Sequence, residues 1–312
     1  MPCSPRAASE PVYKRVRGCR LGTPLDKGCL EARLGVRAAR ADTAAFLTGT
    51  SPVSARGLGL EYIDFRDLEE GDDARFIDWR LSARSLDPSG FYRLVVKVFR
   101  AERRVRAVLV VDLSTSMLFG RKARALAYSA SVISSAASEL EDELALVVGA
   151  GGRVLVYPWA KPERLPHLVV KAACEQRERG ALSLPELARV ASRLSGPYIL
   201  LTDYANSLEE LNTAVAALRG RGLGLVVVYE PAELRPPTSC LAAVEDPETG
   251  AGVGARLEDF YSAVQSHVSS VRALLKWRRV PYVETAWPRV RESRIKLVDL
   301  YTSVRRKLPT TR

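Results

Sequence analysis

Short, wholly apolar segments alternate with helical segments from residue 105 onward, and this alternation limits the possible folds more than any other feature. Residues 107–111 (AVLVV) are apolar at every position, as expected of a strand that is buried on both faces of a sheet. Residues 144–148 and 223–229 have the same character. Such strands, separated by helices, predict an α/β fold with a doubly wound, mostly parallel sheet.

Other segments complete this pattern. The glycine-rich turn at 149–152 predicts that residues 154–157 return as one antiparallel strand at the sheet edge. Two further strands are expected at 198–201 and 281–284, and another at 94–99. Apolar residues at helical spacing predict helices at 29–47, 122–140, 184–194, 208–218, 257–277 and 293–307.

Positive charge is concentrated at the two ends of the 312-residue chain. The net charge is +11, of which residues 1–53 carry +5 and residues 271–312 carry +9, so the centre is slightly acidic. Basic ends can dock on nucleic acid, anionic lipid or an acidic protein face, or they can be solvated surface. We therefore divide the chain into four parts: a basic N-terminal arm and short helix (1–53, with 1–27 mobile), a signature segment (54–104), an α/β domain (105–290) and a basic C-terminal helix (291–312).

The cysteines and the apolar runs bear on localisation. There are five cysteines, an odd number, and none lies in a C-x-x-C pair, which argues against a disulfide framework or a zinc site and for a reducing compartment. No apolar run approaches the roughly 20 residues of a membrane span. The N-terminal residues also lack the apolar stretch of a secretory signal. The sequence therefore predicts a soluble, cytoplasmic protein.

Hard oxygen donors follow two of the predicted strands. Asp112, Ser114 and Ser116 form a D-x-S-x-S loop after the strand at 107–111, and Asp203 follows the strand at 198–201. Ligands of an open α/β sheet bind beyond the carboxyl ends of its strands, so these residues should meet at one rim. Carboxylate and hydroxyl oxygens suit Mg²⁺. The alternative is that they only cap the helices that follow.

Several enzyme classes are disfavoured. Haloacid-dehalogenase phosphatases have a D-x-D pattern at this strand end, but here Ser114 replaces the second acid and removes the general acid/base. No phosphate-binding G-x-x-x-x-G-K-[ST] loop is present, and the glycine-rich patch at 250–254 is predicted to be a loop without a preceding strand. The only histidines, His167 and His267, lie in no recognisable nucleophile motif, which weakens a hydrolase interpretation.

Residues 71–84 carry charges of both signs around a single tryptophan. We predict that this segment is ordered and packs against the sheet, with Trp79 at least partly buried and Asp78 or Asp72 paired to an arginine. A charged surface turn is the alternative. As a functional element it would dock a partner or border the metal site, and its candidate residues are Asp72, Asp73, Arg75, Asp78, Trp79, Arg80 and Arg84.

Motifs between residues 57 and 117 carry a likeness to a known family. They are Gly57-x-Gly59-x-Glu61, Arg66, Gly71-Asp72-Asp73-x-Arg75-x-Ile77-Asp78-Trp79-Arg80-x-Ser82-Ala83-Arg84, Lys97, Phe99, Glu102 and Asp112-x-Ser114-x-Ser116-Met117. In these the chain resembles the von Willebrand factor A-related proteins catalogued as domain of unknown function fifty-eight. Weaker similarity extends the likeness over roughly residues 30–300.

The resemblance implies a von Willebrand factor A (Rossmann-like) fold with a metal-ion-dependent adhesion site. In such a site Ser114 and Ser116 would bind Mg²⁺ or Mn²⁺ directly, Asp112 and Asp203 would hold it through water, and an acidic side chain of a protein partner would complete the ligand shell. The implied function is that of a non-enzymatic protein-interaction module. Relatives accompany MoxR-type AAA+ ATPases, which implies a role in protein assembly or metal-cofactor insertion.

The sequence also departs from the family. Adhesion sites usually take a threonine from a third loop, but the matching region is Gly180-Ala181-Leu182-Ser183, so Ser183 is the candidate substitute. Many relatives carry N-terminal transmembrane helices, whereas this chain resembles the short soluble form.

Two alternative functions are kept. A nucleic-acid-binding protein could use the basic termini, although Trp277-Arg278-Arg279 and Tyr301 are the only hints of aromatic residues interleaved with the charges. A metal-dependent hydrolase is the other alternative.

Overall fold

The computed structural model describes residues 24–48, 61–69, 74, 77–86, 90–100, 104–176, 183–234, 241–245 and 252–306. The strands are β1 (Glu61–Asp67), β2 (Val95–Arg100), β3 (Arg106–Leu113), β4 (Glu143–Ala150), β5 (Arg153–Ala160), β6 (Tyr198–Thr202), β7 (Leu223–Val228), β8 (Leu241–Glu245), β9 (Gly252–Arg256) and β10 (Tyr282–Thr285). The helices are α1 (Pro24–Thr48), α2 (Trp79–Ser82), α3 (Lys122–Glu139), α4 (Leu165–Glu175), α5 (Leu184–Ala191), α6 (Leu208–Leu218), α7 (Pro231–Leu234), α8 (Leu257–Trp277) and α9 (Arg294–Arg305).

The chain divides into two compact units. The large unit comprises Met1–Thr48 and Val105–Arg312, and the small unit is Gly49–Arg104. No helix in the described ranges has both the length and the apolar character needed to cross a membrane.

A six-stranded sheet forms the centre of the large unit, in the order β10-β7-β6-β3-β4-β5. All neighbouring strands are parallel except β4 and β5, which are antiparallel. The α/β class, the mostly parallel sheet and the single antiparallel edge strand are therefore confirmed. Strand β6 and strand β7 are buried at every position, which explains why their sequences are apolar without alternation.

Helices cover both faces of this sheet. Leu109 and Val111 of β3 point into one core cluster, which includes apolar residues of α1, α3, α4 and α9. Val108 and Val110 point into a second cluster with residues of α5, α6 and α8. Successive residues of one strand thus enter opposite cores, as the period of two along a strand requires. The sheet is doubly wound, and its strand ends are left free to carry a site.

The first helix corrects the division of the N-terminal part of the chain. Helix α1 has 25 residues and begins at Pro24, so residues 24–27 are helical rather than part of a mobile arm; residues 1–23 lie outside the described ones. Its face with Ala32, Val36 and Ala39 is buried in the core. A Cβ atom at Gly35 would come within 2.3 Å of the Arg124 carbonyl oxygen, so glycine permits the close packing of α1 on α3.

The last helix is also part of the core. Leu297, Leu300, Tyr301 and Val304 of α9 are buried, although the sequence there is strongly basic. The helix ends at Arg305, and residues 307–312 lie outside the described part.

Two of the cysteines form a disulfide. Cys29 in α1 and Cys174 in α4 are bonded, with their Cα atoms 4.4 Å apart. The inference from cysteine number and spacing is therefore wrong for this pair. The two residues are 145 positions apart, so only the packing of α1 beside α4 brings them together. The cytoplasmic location consequently stays a prediction without support from the cysteines.

Two further elements differ from expectation. Helix α4 lies in a segment for which no helix was predicted. The glycine-rich patch is not a loop, because Gly252 and Gly254 belong to β9, which pairs with β8 in an antiparallel hairpin. Strand β8 precedes the patch in the chain, but its alanines give only a weak strand signal.

Candidate functional site

The ends of β3 and β6 bring two buried carboxylates to one rim. These strands are parallel neighbours, with Val111 opposite Leu201, so Asp112 lies beside Thr202 and close to Asp203. The Thr202 hydroxyl donates a 2.8 Å hydrogen bond to Asp112 Oδ2. Both aspartates are at most 4% exposed. Asp112 and Asp203 therefore both lie at the carboxyl ends of these two neighbouring strands.

The loop after β3 adds two hydroxyl groups. The Ser114 N–H donates to Asp112 Oδ1 at 2.9 Å, which folds the loop back over the strand end. A short 3-10 helix, Thr115–Leu118, follows and turns Ser116 toward Ser114, so that their Oγ atoms are 3.0 Å apart. Both serines are buried. The loop thus gathers one carboxylate and two hydroxyls within a few residues.

A lysine that the sequence analysis did not select completes the cluster. Lys122, the first residue of α3, is 1% exposed, and its ammonium lies 2.7 Å from Asp203 Oδ2 and 2.6 Å from Glu233 Oε1. Glu233 belongs to α7, which follows β7. A lysine is rarely buried without charged partners. Sequence spacing could not reveal this cluster, because its partners lie 81 and 111 residues away.

The loop before Lys122 is fixed by another acid from the same segment. Gly120 has a φ of +58°, and a Cβ atom there would lie 2.6 Å from Glu230 Oε2. The same oxygen accepts a 2.8 Å hydrogen bond from the Arg121 N–H. The Glu230 N–H in turn donates to Glu233 Oε2 at 3.0 Å. Residues 230–233 therefore hold both the loop and the lysine in place.

The cluster at this rim contains more acidic than basic groups. Burial and the neighbouring charge of Asp203 raise the pKa of Asp112 above its ordinary value. Burial, together with Asp203, also raises the pKa of Glu233, although Lys122 opposes this shift. Burial alone would lower the pKa of Lys122, but the charges of Asp203 and Glu233 raise it above its ordinary value of 10.5. One ammonium is thus shared by Asp203 and Glu233.

The remaining predicted residues lie elsewhere. Ser183 is the residue before α5 and is exposed, so it is not part of the buried cluster; residues 177–182 before it lie outside the described ranges. Asp72, Asp73 and Arg75 also lie outside them.

The small unit corrects the prediction for the signature segment. Strands β1 and β2 pair antiparallel, and Asp78 precedes the one-turn helix α2 beside β2. Trp79 is 65% exposed, so its predicted burial is wrong. Asp78 pairs with Lys97 at 3.1 Å, not with an arginine, and its other oxygen accepts the Leu81 N–H at 2.9 Å. Arg80 and Arg84 are exposed.

The oxygen atoms at the rim fit a hard divalent cation. Asp112, Ser114 and Ser116 offer one carboxylate and two hydroxyls, the donor chemistry that Mg²⁺ and Mn²⁺ prefer. The excess negative charge that raises the pKa of Asp112 is what such a cation would offset. Within the described residues no group of three or more His, Cys, Asp or Glu could hold a metal ion. A cation here would depend on the serine hydroxyls and on water.

The comparisons with known proteins place the chain in a family. The model of the family described as protein of unknown function DUF58 matches residues 64–263, so the chain belongs to this family. The uncharacterized protein Rv1480 of Mycobacterium tuberculosis is 23% identical over 235 residues, which cover 70% of this chain and 72% of that protein.

Solved structures show a weaker likeness. BatB from Bacteroides thetaiotaomicron is 16% identical, covers 64% of this chain and 98% of that one, and gives a TM-score of 0.40. An aerotolerance-related membrane protein from Bacteroides fragilis is 12% identical, covers 64% and 99%, and gives a TM-score of 0.41. Likeness at this level says nothing about function.

Proposed function

We propose that this protein is a non-enzymatic interaction module of von Willebrand factor A type, which uses a metal-ion-dependent adhesion site at the carboxyl ends of β3 and β6. The observation that carries the proposal is the meeting of Asp112, Asp203 and the two serine hydroxyls in one buried, negatively charged cluster. Neutral hydroxyls beside carboxylates leave a bound divalent cation with residual positive charge. That charge would draw an acidic side chain from another protein.

Each residue has a proposed part in holding the cation, Mg²⁺ or Mn²⁺. Ser114 and Ser116 would bind it directly, and Asp112 and Asp203 would hold it through water. Thr202 and the Ser114 N–H fix the Asp112 carboxylate by hydrogen bonds, so it needs little reorganisation on binding. The cation would act as a Lewis acid toward the partner's carboxylate, and no covalent bond would be made or broken.

The proposed partner is a MoxR-type AAA+ ATPase in the cytoplasm, and the proposed role is in protein assembly or maturation. This part rests on the likeness to the family described above. The site supports it only in so far as it favours an acidic ligand on a protein surface.

A binding assay with matched variants tests the proposal. Purified ATPase from the same organism would be captured on the immobilised protein with Mg²⁺ or with EDTA, using Asp112→Ala as the site variant. Asp299→Ala is the control, because Asp299 is an exposed acid on α9. We expect EDTA and Asp112→Ala each to weaken binding at least about tenfold, equal to 1.4 kcal/mol, while Asp299→Ala changes it less than about twofold. Binding that resists both EDTA and Asp112→Ala would refute a metal-dependent adhesion site.

Salt separates this proposal from nucleic-acid binding by the basic termini. Trp277 is 71% exposed and Arg278 stacks over its ring at 4.4 Å, so this residue could offer a stacking surface. Tyr301 could not, because it is buried and its hydroxyl bonds to Asp142. Interactions of exposed charges are largely lost at about 0.5 M salt. If salt abolishes ATPase binding while EDTA does not, the basic surface binds the partner.

The described histidines give a hydrolase no support. The His267 ring nitrogen lies 3.0 Å from the Tyr204 carbonyl oxygen, and His167 contacts Arg40. Neither ring is placed by these contacts to activate Ser114 or Ser116.

A further inference from the structure

We propose that Lys122 is a resident counter-ion that sets the strength of the cation site by holding Asp203, and that Glu233 controls that hold. The inference rests on the proposed function, since it concerns the same site. It gives Lys122 and Glu233 a role in cation binding. Neither residue belongs to the D-x-S-x-S loop or to the other family motifs.

The position of Lys122 is the first reason. Its ammonium lies 2.7 Å from Asp203 Oδ2, while Asp203 Oδ1 accepts the Ala205 N–H at 2.9 Å. Both oxygens of Asp203 are therefore engaged within the protein. Asp112 is held differently, because uncharged groups donate to its oxygens, among them the Thr202 hydroxyl and the Ser114 N–H. The neutral donors to Asp112 therefore do not offset the charge of its carboxylate, whereas Lys122 offsets that of Asp203.

The charge of the cluster is the second reason. Asp112, Asp203 and Glu233 bring three carboxyl groups together, and Lys122 brings one ammonium. When all three carboxyl groups are ionised, one divalent cation makes this set neutral. Without the lysine, one divalent ion would leave a net negative charge, and the rim would repel the acidic ligand that the proposed function needs. Lys122 therefore tunes the cluster to one divalent cation that still attracts a carboxylate.

Glu233 is the third reason. It shares the ammonium of Lys122 at 2.6 Å, and its side chain is 32% exposed, in contrast to Lys122 and Asp203. The segment that carries it also binds the Arg121 N–H through Glu230. Glu233 weakens the hold of Lys122 on Asp203 because both carboxylates compete for one ammonium. A change at α7 would thus alter the cation site without contacting the cation.

Manganese binding measures these effects directly. Free Mn²⁺ would be followed by electron paramagnetic resonance while it is titrated into wild type, Lys122→Met, Glu233→Gln and Arg121→Met. Arg121→Met is the matched control, since it removes the same charge from the neighbouring residue. The Arg121 side chain is 47% exposed and faces Glu230. The unfolding temperature of each variant would be recorded with EDTA and with Mn²⁺.

Lys122→Met should tighten Mn²⁺ binding at least about tenfold, because a positive charge close to the ion is lost at a site where charges interact strongly. Its unfolding temperature should fall in EDTA, since Asp203 and Glu233 lose their partner, and should recover with Mn²⁺. Glu233→Gln should weaken Mn²⁺ binding about threefold or more, because Lys122 then acts on Asp203 alone. Arg121→Met should change binding less than about twofold, because an exposed charge is screened by solvent.

The outcomes separate this inference from the proposed function. If wild type binds Mn²⁺ and Asp112→Asn abolishes binding, but Lys122→Met binds no tighter than Arg121→Met, the site stands and the role of Lys122 is overturned. If neither wild type nor Lys122→Met binds Mn²⁺, the metal site fails and this inference fails with it. Should Lys122→Met not fold even with Mn²⁺, Glu233→Gln decides: unchanged or tighter binding by that variant overturns the inference.

Discussion

Buried carboxylates in the large unit differ in how their charge is balanced, depending on whether they join helices or line the strand ends. Asp142 accepts hydrogen bonds from the Tyr301 hydroxyl and from two nitrogens of Arg305. Asp42 has Arg291 as its own cationic partner. Each of these two acids, which we call the anchor carboxylates, pairs with a guanidinium. At the strand ends, Lys122 is shared by Asp203 and Glu233, and Asp112 has neutral donors.

This difference separates a structural from a functional use of buried charge. A buried ion pair adds little net stability, but removing one partner is strongly destabilising because the other is left as an unpaired charge. A cluster with excess negative charge is held by the surrounding fold and is stabilised by whatever cation it binds. The anchor carboxylates should therefore be sensitive to substitution under all conditions. Asp112, which has neutral donors, should be sensitive to substitution mainly when the cation or the partner is present.

The largest effect is expected at Asp142. Asp142→Asn removes the carboxylate that pairs with the buried Arg305, and the free energy of unfolding should fall by about 3–5 kcal/mol. This acid also accepts the Val105 N–H at 2.7 Å, so the change reaches the residue before β3. Urea unfolding followed by circular dichroism measures the loss. A loss below about 1 kcal/mol would remove the distinction drawn above.

A smaller, pH-dependent effect is expected at Asp42. The hydrogen bond from Arg291 outweighs burial and holds the pKa of Asp42 below its ordinary value of 3.8, with help from the Tyr128 hydroxyl. A carboxyl with a lowered folded-state pKa stabilises the fold above its unfolded pKa, and this contribution is lost as the pH falls through the folded value. Asp42→Asn should therefore cost about 1–2 kcal/mol at pH 7, reduced because Arg291 is half exposed.

Unfolding at pH 7 and at about pH 3 checks the sign. The difference between wild type and Asp42→Asn should shrink at the lower pH. A difference that grows toward acid would contradict the assignment of Asp42 as an ionised anchor.

Asp112→Asn should have the smallest effect on global stability of these three substitutions. In EDTA the free energy of unfolding should change by less than about 1 kcal/mol, because the lost charge is one that burial and Asp203 disfavour. Any stabilisation that Mn²⁺ gives to wild type should be absent in the variant. A loss in EDTA as large as that of Asp142→Asn would show that Asp112 is a structural residue.

Only part of the site could be predicted from the sequence. Asp112, Ser114 and Ser116 belong to one short loop, and Asp203 follows an apolar strand, so their meeting follows from the parallel order of strands. Lys122 could not be predicted in the same way. It opens an alanine- and serine-rich helix, and its partners come from the loop after β6 and from α7.

The fold shows the same division between local and long-range information. Apolar runs predicted the central strands, because a strand buried on both faces needs no other signal. The disulfide between Cys29 and Cys174 depends on how two helices pack, and no spacing rule contains it. The mixed-sign charges around Trp79 predict that it is at least partly buried, yet its helix has a single turn and leaves the ring 65% exposed.

Asp78 in the small unit should give the most local effect, since its carboxylate is neither an anchor nor part of the strand-end cluster. Hydrogen bonds from the Leu81 N–H, and then from Lys97, hold the pKa of Asp78 below its ordinary value. Asp78→Ala removes the acceptor at the start of α2 and should speed amide exchange of Leu81 and its neighbours. Asp78→Asn keeps an acceptor there and should retain most of the protection, because asparagine is also a good helix cap. Hydrogen exchange read by mass spectrometry resolves this segment. If Asp78→Ala also speeds exchange in β3 or β6, the carboxylate has a wider structural role than that of a local cap. That result would reduce the difference between Asp78 and the buried acids of the large unit.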